Sequence, residues 1–525
     1  MDSIPKQQFG EMRELAQLTG SEVSVHGPVI DTTGMTQQGY SELNRELSER
    51  KITQTLLKSH EINPNGNIPV TFHSAEGILS SEWKTLGDVE GKNQRQAKRM
   101  IAVDKESGRM IPLDYEQKYY PKDSLIPGSE NEGTKYTPEQ NLQIANTSTW
   151  DEKISQLFIN KERADEILEQ NRPLIQPLLA ELSERQKRGE DLYSGLTDTQ
   201  KMVLRRYQDA ENYLGEITKQ ANGIFSKGYQ YGTEEQKKDF RNIAEVYKRR
   251  LKEGGADPFH QSMAVQELLS NMQNPALAPE MFVPIEKWAL DKSSTTFSNA
   301  AFNAFKTFKK DPNKTPMLVI ENPPAGFGLS TGEDLKNLVI ETREKFVKKA
   351  VENGISEGQA QDAAEKLIGA TWDVGHINML RRFGFGDKDI VKETEKVAPY
   401  VKHVHLSDNF GYEHTELPMG MGNVPMKEIM AKLGEEGFEG KKVIEASTWW
   451  QHFQTAPVRE TLEGLGSPMY MSGKGPYWNQ SGGFEQGYLS GFGMMLPQNS
   501  YQTFGAGFSQ LPAELGGNKQ NQRME

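Results

Sequence analysis

Read for the spacing of its apolar residues, the chain gives two kinds of signal. Runs of five or six residues rich in Val and Ile fit strands: EVSVH at 22–26, IPVTFH at 68–73, PMLVIE at 316–321, GATWD at 369–373, VKHVHL at 401–406 and KKVIE at 441–445. Among them lie longer stretches with charged faces, such as YSELNRELSERKITQTLLKSH and EDLKNLVIETREKFVKKAVENG, which fit helices. Strand, helix and strand in succession predict a parallel sheet.

The alternation stops from 76 to about 280. There RMIAVDKESGRMIPLDYEQ reads as two strands joined by a polar turn, and long charged helices follow. TDTQ at 197–200 and TEEQ at 233–236 set Thr three residues before Gln, so Thr197 and Thr233 are expected to cap helices; STGE at 330–333 predicts the same of Ser330. Phe240, Ile243, Ala244, Tyr247 and Leu251 recur on one helical face. With no convergent reactive residues in this stretch, packing is its expected role. From 465 onward Gly, Ser, Gln and isolated aromatics follow one another without period, the composition of a flexible tail.

Composition narrows the chemistry. The 525 residues are 35% hydrophobic and 26% charged, as in soluble globular proteins. No uninterrupted apolar run of ~18 residues is present and no basic-then-apolar leader, so the expectation is a cytoplasmic protein without membrane contact. Without cysteine, any metal must sit on His, Asp and Glu. A net charge of −12 and a pI near 5.5 argue against general polyanion binding, which relies on Lys and Arg.

The last residues of the strand-like runs bring the pattern and the chemistry together: His26, His73, Glu321, Asp373, His405 and Glu445. Acids and histidines make up about one residue in six, so six such endings are more than composition supplies. In a parallel barrel the carboxyl ends of all strands meet at one mouth, where ligands distant in sequence become neighbours. His376 lies one turn beyond Asp373, and the loop EHTELPMGMGNVP offers His414 and Glu416, with Gly420 and Gly422 permitting close backbone approach. Nine candidates exceed what one ion uses, so two or three ions are implied. His403, two residues before His405, is expected in the core or behind the ligands; His60, His260 and His452 are expected at the surface or in packing.

These pieces, VSVHGP, VTFHSAEG, LVIENPPAGFG, WDVGHINML, HVHLSDN, HTELPMGMG and VIEAS, resemble in order the xylose isomerase-like TIM barrels, and among them endonuclease IV. The resemblance implies an α/β fold with a (β/α)8 TIM-type barrel. Its first part would be 1–75, a hairpin and helical insertion 76–280, a second part carrying most ligands 281–464, and a tail 465–525. His26 already matches the family's third strand, so the barrel lacks its N-terminal strands unless the insertion or another chain completes it. Further implied are three zinc ions: His26 and His73 on the first, Glu321 bridging to a second completed by Asp373, His405 and Glu445, and His376, His414 and Glu416 on the third. The family's loop reads Asp-x-His where this chain has His414 and Glu416.

Three functions follow from the resemblance. One is a metal-dependent phosphodiester hydrolase acting on damaged DNA, in which metal-bound hydroxide attacks phosphorus. Another is an isomerase or epimerase of a sugar or phosphorylated sugar, with one Mn²⁺ or Mg²⁺ on Glu321, Asp373, His405 and Glu445, and with Glu321 and Glu445 as catalytic residues. The third is a barrel kept as a non-catalytic scaffold. The hydrolase is the leading expectation, and it too draws on Glu321 and Glu445.

Overall fold

A computed structural model describes residues 4–464 apart from 37–38, 90–91, 119–133, 193, 255–256, 438–439, 447–448, 450 and 452. The expected tail, and His452, lie outside the described residues. The chain divides into two compact units, one of residues 1–82, 107–110 and 284–525, the other of 83–106 and 111–283. These cuts fall a few residues beyond the expected boundaries at 75/76 and 280/281.

The first unit is built on six parallel strands: β1 (Val25–His26), β2 (Pro69–His73), β3 (Met317–Glu321), β4 (Ile368–Asp373), β5 (Val401–Leu406) and β6 (Lys441–Ile444). Their order in the sheet is their order in the chain. Ile68, Val70, Phe72, Leu318, Val319, Ile320, Ile368, Ala370, Trp372 and Val404 are buried, which is why these runs read as nearly continuous apolar stretches. Helices 42–59, 285–307, 332–352 and 387–397 lie among the strands in the chain, as parallel crossovers require.

The (β/α)8 expectation needs correction: among the described residues six strands, not eight, share the sheet. β1 is only two residues of the predicted five, because it lies at an edge with β2 as its single partner. The gap between the edges is crossed by Lys441 of β6, whose Nζ lies 3.4 Å from both the Val23 carbonyl and a Glu22 carboxylate oxygen. The cap predicted for Ser330 is made instead by Thr331, whose hydroxyl accepts from the Asp334 amide; the helix starts at Gly332, and the box shifts by one residue.

The second unit carries helices α1 (Pro138–Lys187), α2 (Asp198–Tyr231), α3 (Glu234–Gly254) and α4 (Pro258–Met272). Thr197 with Gln200 and Thr233 with Gln236 form reciprocal boxes at the starts of α2 and α3. Buried positions of α1 alternate by four and three: Trp150, Ile154, Leu157, Lys161, Ala164, Leu168, Asn171, Ile175 and Leu178. That is a heptad seam, and Val203, Ala210, Leu214, Ile217, Ala221 and Gly228 continue it on α2. Trp150, Ile154 and Leu157 pack with Ile217 and Ala221, whereas Ile175 and Leu178 pack with Leu196 and Val203, so the helices run antiparallel. Phe240, Ile243 and Tyr247 of the predicted stripe join the first of these clusters. The predicted hairpin also forms, Lys92–Asp104 pairing with Met110–Asp114.

Candidate metal centre

Strand register decides where the strand-end side chains go. Side chains alternate between faces with a period of two, so residues level with one another, or two apart, share a face. His26 is level with Thr71, two before His73; His73 is level with Glu321. Glu321 is level with Thr371, two before Asp373, and Asp373 is level with His405. His405 is level with Val443, two before Glu445, whose amide donates to the Leu406 carbonyl just past β6. All six therefore project to one side, at one end of the sheet.

Glu321 is the hub. It is fully buried, with Oε2 3.0 Å from His26 Nε2 and 3.2 Å from His73 Nε2, and Oε1 2.6 Å from His405 Nδ1. His405 Nδ1 is also 2.8 Å from Glu445 Oε2 and 4.0 Å from Asp373 Oδ2. One N–H cannot point at two carboxylates, and Glu445 Oε2 and Asp373 Oδ2 are buried without a hydrogen bond. A buried carboxylate oxygen without a donor is costly, and either a proton or a bound cation removes the cost.

The donor set fits such a cation. Ligand-type atoms of Glu321, Asp373, His405 and Glu445 lie within 4.8 Å of one another, as do those of His26, His73 and Glu321. A tetrahedral ion with bonds of about 2.0–2.1 Å sets its ligand atoms about 3.3 Å apart, inside the 2.6–4.0 Å spread of the N–O separations. Two of the histidines are oriented for ligation. His26 Nδ1 lies 2.8 Å from the Gly27 carbonyl and His376 Nδ1 2.7 Å from the Asn322 carbonyl, so with Nδ1 carrying the proton each Nε2 would offer its lone pair to a cation, in His26 replacing the bond to Glu321.

The loop pair is less closely gathered. His376 Nε2 is 2.7 Å from His414 Nε2, a distance at which the His414 N–H donates, and His414 Nε2 is 3.5 Å from Glu416 Oε1. His376 Nε2 is 3.9 Å from Asp373 Oδ2. Glu416 holds a positive φ of 46°, a strained conformation for a residue with a side chain. The structure brings His376 and His414 together at the cluster's edge with Glu416 behind them, not into the tight grouping of the first two sets.

Electrostatics follows from the burial. Desolvation, with Glu445 and Glu321 close by, pushes Asp373 up to about 8. Burial alone would raise Glu321 and Glu445 as well, but His405 and, for Glu321, His26 and His73 outweigh it: Glu321 lies well below the carboxylate range and Glu445 at about 2. His405 is raised well above 6.5, burial being overcome by Glu321 and Glu445. In the core one layer deeper, His403 has no hydrogen bond on either ring nitrogen, and desolvation takes it down to about 4. His60 rests on Phe308 and His260 on Asp257, and neither belongs to the groups that could hold a metal ion.

Sequence reasoning gave no role to the residues that hold the ligands. Ser407 donates to Asp373 Oδ1 at 3.0 Å, and Asp408 gathers the amides of Asn409, Gly420 and Val424 to shape the loop bearing His414 and Glu416. The motif HLSDN contains both; only the fold says what they touch. Gly375 has to be glycine, because a Cβ there would come within 2.1 Å of the Ser407 hydroxyl.

Residues 331–466 match the model of the xylose isomerase-like TIM barrel family. Asp373, His376, His405, His414, Glu416 and Glu445 fall within the match. An uncharacterized protein of Methanocaldococcus jannaschii is 33% identical over 85 residues, 16% of this chain and 28% of that protein. The fructoselysine 3-epimerase of Shigella flexneri is 28% identical over 69 residues, 13% of this chain and 25% of the enzyme. A crystal structure of a D-tagatose 3-epimerase-like protein shares 26% identity, covering 31% of this chain and 49% of that one with a TM-score of 0.21. The chain thus spans about a quarter of the length of the curated relatives it matches. No helix among the described residues is long and apolar enough to cross a membrane.

Proposed function

We propose that the protein is a divalent-metal-dependent isomerase or epimerase acting at a carbon next to a carbonyl in a sugar or sugar derivative. The observation that carries this reading is the pairing of Glu321 and Glu445, which reach the same His405 nitrogen, at 2.6 and 2.8 Å, from different strands. Epimerisation needs a base that removes a proton and an acid that returns one from the other side, and two carboxylates flanking one centre provide both. Both lie below the usual carboxylate range and stand ionised at neutral pH, so either can be the base that takes the substrate proton, and the other would have to take up a proton from solvent before it can serve as the acid.

Glu321, Asp373, His405 and Glu445 would hold the cation, which when bound polarises the substrate carbonyl and stabilises negative charge on its oxygen. Ser407 orients Asp373, and the burial of Glu321 and Asp373 keeps water from the floor of the site. Glu445, with 29% of its side chain exposed, is the most open of these four residues to incoming substrate. The likeness to fructoselysine 3-epimerase supports this chemistry over phosphodiester hydrolysis.

The test is to load purified protein with Mn²⁺, Co²⁺ or Zn²⁺ and incubate it with a panel of ketoses in deuterated water. Deuterium entering the carbon next to the carbonyl is expected, and its loss in both Glu321→Gln and Glu445→Gln. Cleavage of abasic-site DNA without exchange on any sugar would return the hydrolase reading. That second reading has one observation in its favour: His26 and His73 on Glu321 Oε2 supply a second cation set that a single-metal epimerase does not use.

A further inference from the structure

Asn322 follows Glu321 and is fully buried. Its neighbours Pro323 and Pro324 have no amide hydrogens, so the β3 backbone cannot extend its ladder toward β4 beyond this point. The side chain takes over. Nδ2 donates to the Asp373 carbonyl at 3.0 Å, and the Asp373 amide donates to Oδ1 at 2.9 Å, a two-way bond of the kind two backbones exchange. The Asn322 main-chain carbonyl accepts the Nδ1–H of His376 at 2.7 Å. One residue thus touches the backbone of one candidate ligand and the ring of another, and is bonded in sequence to a third.

We infer that Asn322 is a positioning residue for the cluster: its amide fixes Asp373 relative to Glu321, and its carbonyl turns His376 so that Nε2 faces Asp373 and His414. A carboxamide is the side chain of this size that offers donor and acceptor together. Aspartate keeps the acceptor and loses the donor, and alanine loses both. Asn322 contacts no reacting group; it acts through the residues it holds. This inference rests on the reading that the cluster binds a divalent cation.

The test uses the full chain freed of metal and titrated with Co²⁺ in a calorimeter, beside thermal unfolding of the metal-free protein. Wild type is expected to bind Co²⁺, and Asn322→Ala and the isosteric Asn322→Asp to bind it about 10–100-fold more weakly, the range for residues that orient metal ligands. If either folded variant binds as tightly as wild type, with only its unfolding temperature lowered, Asn322 is structural and the inference is overturned. Imidazole nitrogen shifts of metal-free wild type supply a readout that needs no variant: His376 is expected as the Nδ1–H tautomer, and the Nε2–H tautomer overturns the assignment. Wild type that takes up no Co²⁺ would sink the cation reading itself, whereas uptake unaffected at Asn322 would sink only this inference.

Discussion

Along the seam of the helical unit the buried polar side chains are settled by near neighbours, while elsewhere in that unit Asn141 Oδ1 and Asp151 Oδ1 have no donor. Lys161, in the seam of α1, pairs with Asp165 one turn on; Ser262 donates to the same carboxylate, and Asn171 donates to the Ile167 carbonyl of its own helix. In the sheet unit the buried Glu321, Asp373 and His405 come from three strands and crowd so that two carboxylate oxygens in the cluster find no donor. Both units bury charge. The seam charge is met by one partner a turn away, while the cluster draws three acids and several imidazoles from separate strands into one buried place, and that convergence is what makes it the candidate site.

The sharpest way to break the comparison is Glu321→Gln. Turnover should fall by about 10²–10⁴-fold or more and bound metal should drop, while metal-free unfolding changes little, since an amide fills the same space. An active variant would remove Glu321 from the chemistry. The converse is Leu157→Ala in the helical seam, expected to cost about 2–5 kcal/mol in denaturant unfolding while leaving metal affinity unchanged. A fall in metal affinity there would show that the units are not independent.

Smaller effects sharpen the picture. His26→Ala and His73→Ala should each leave the metal content, measured by elemental analysis, unchanged, with the Glu321, Asp373, His405 and Glu445 set loaded. Loss of one equivalent in either would show that the second set is filled too, as the hydrolase reading requires. Metal must displace the proton that Asp373 holds up to about 8, so on its account alone affinity should rise with pH by up to about tenfold per unit below 8 and level off above it. His405, also raised, releases a second proton, so where both are still held the slope steepens toward about a hundredfold per unit, and the plateau begins only once His405 too has lost its proton. Calorimetry in buffers of different ionisation enthalpy counts the protons released, and none released would refute the shift. The smallest expected effect is Lys161→Met, which leaves Asp165 without its cation: stability should fall, by less than for Leu157→Ala because Asp165 is 36% exposed and keeps the Ser262 hydroxyl, checked by the denaturation midpoint.

Much of the site was legible because strand ends are marked locally. An apolar run that stops at His73, Glu321, Asp373 or His405 is visible in the letters, and parity then sends these side chains to one face. The heptad seam of α1 was equally present and went unread, because Lys161 and Asn171 interrupt its apolar pattern. The cap at Thr331 instead of Ser330 was not decidable, since adjacent hydroxyl residues each precede an acid by three positions.

The sequence by itself determined the inventory of this protein: no thiols, six strand-like runs ending in ligand types, and helices whose caps and faces are set within a few residues. Only the tertiary structure decided the rest. Among the described residues six strands share the sheet, Glu321 stands between three imidazoles, and Asn322 spans two strand ends. The reason is one of range. Caps, periodicity and turns depend on neighbours in the chain, but a shared buried centre depends on register across some four hundred residues, from His26 to Glu445, and register is set by packing that no single segment contains.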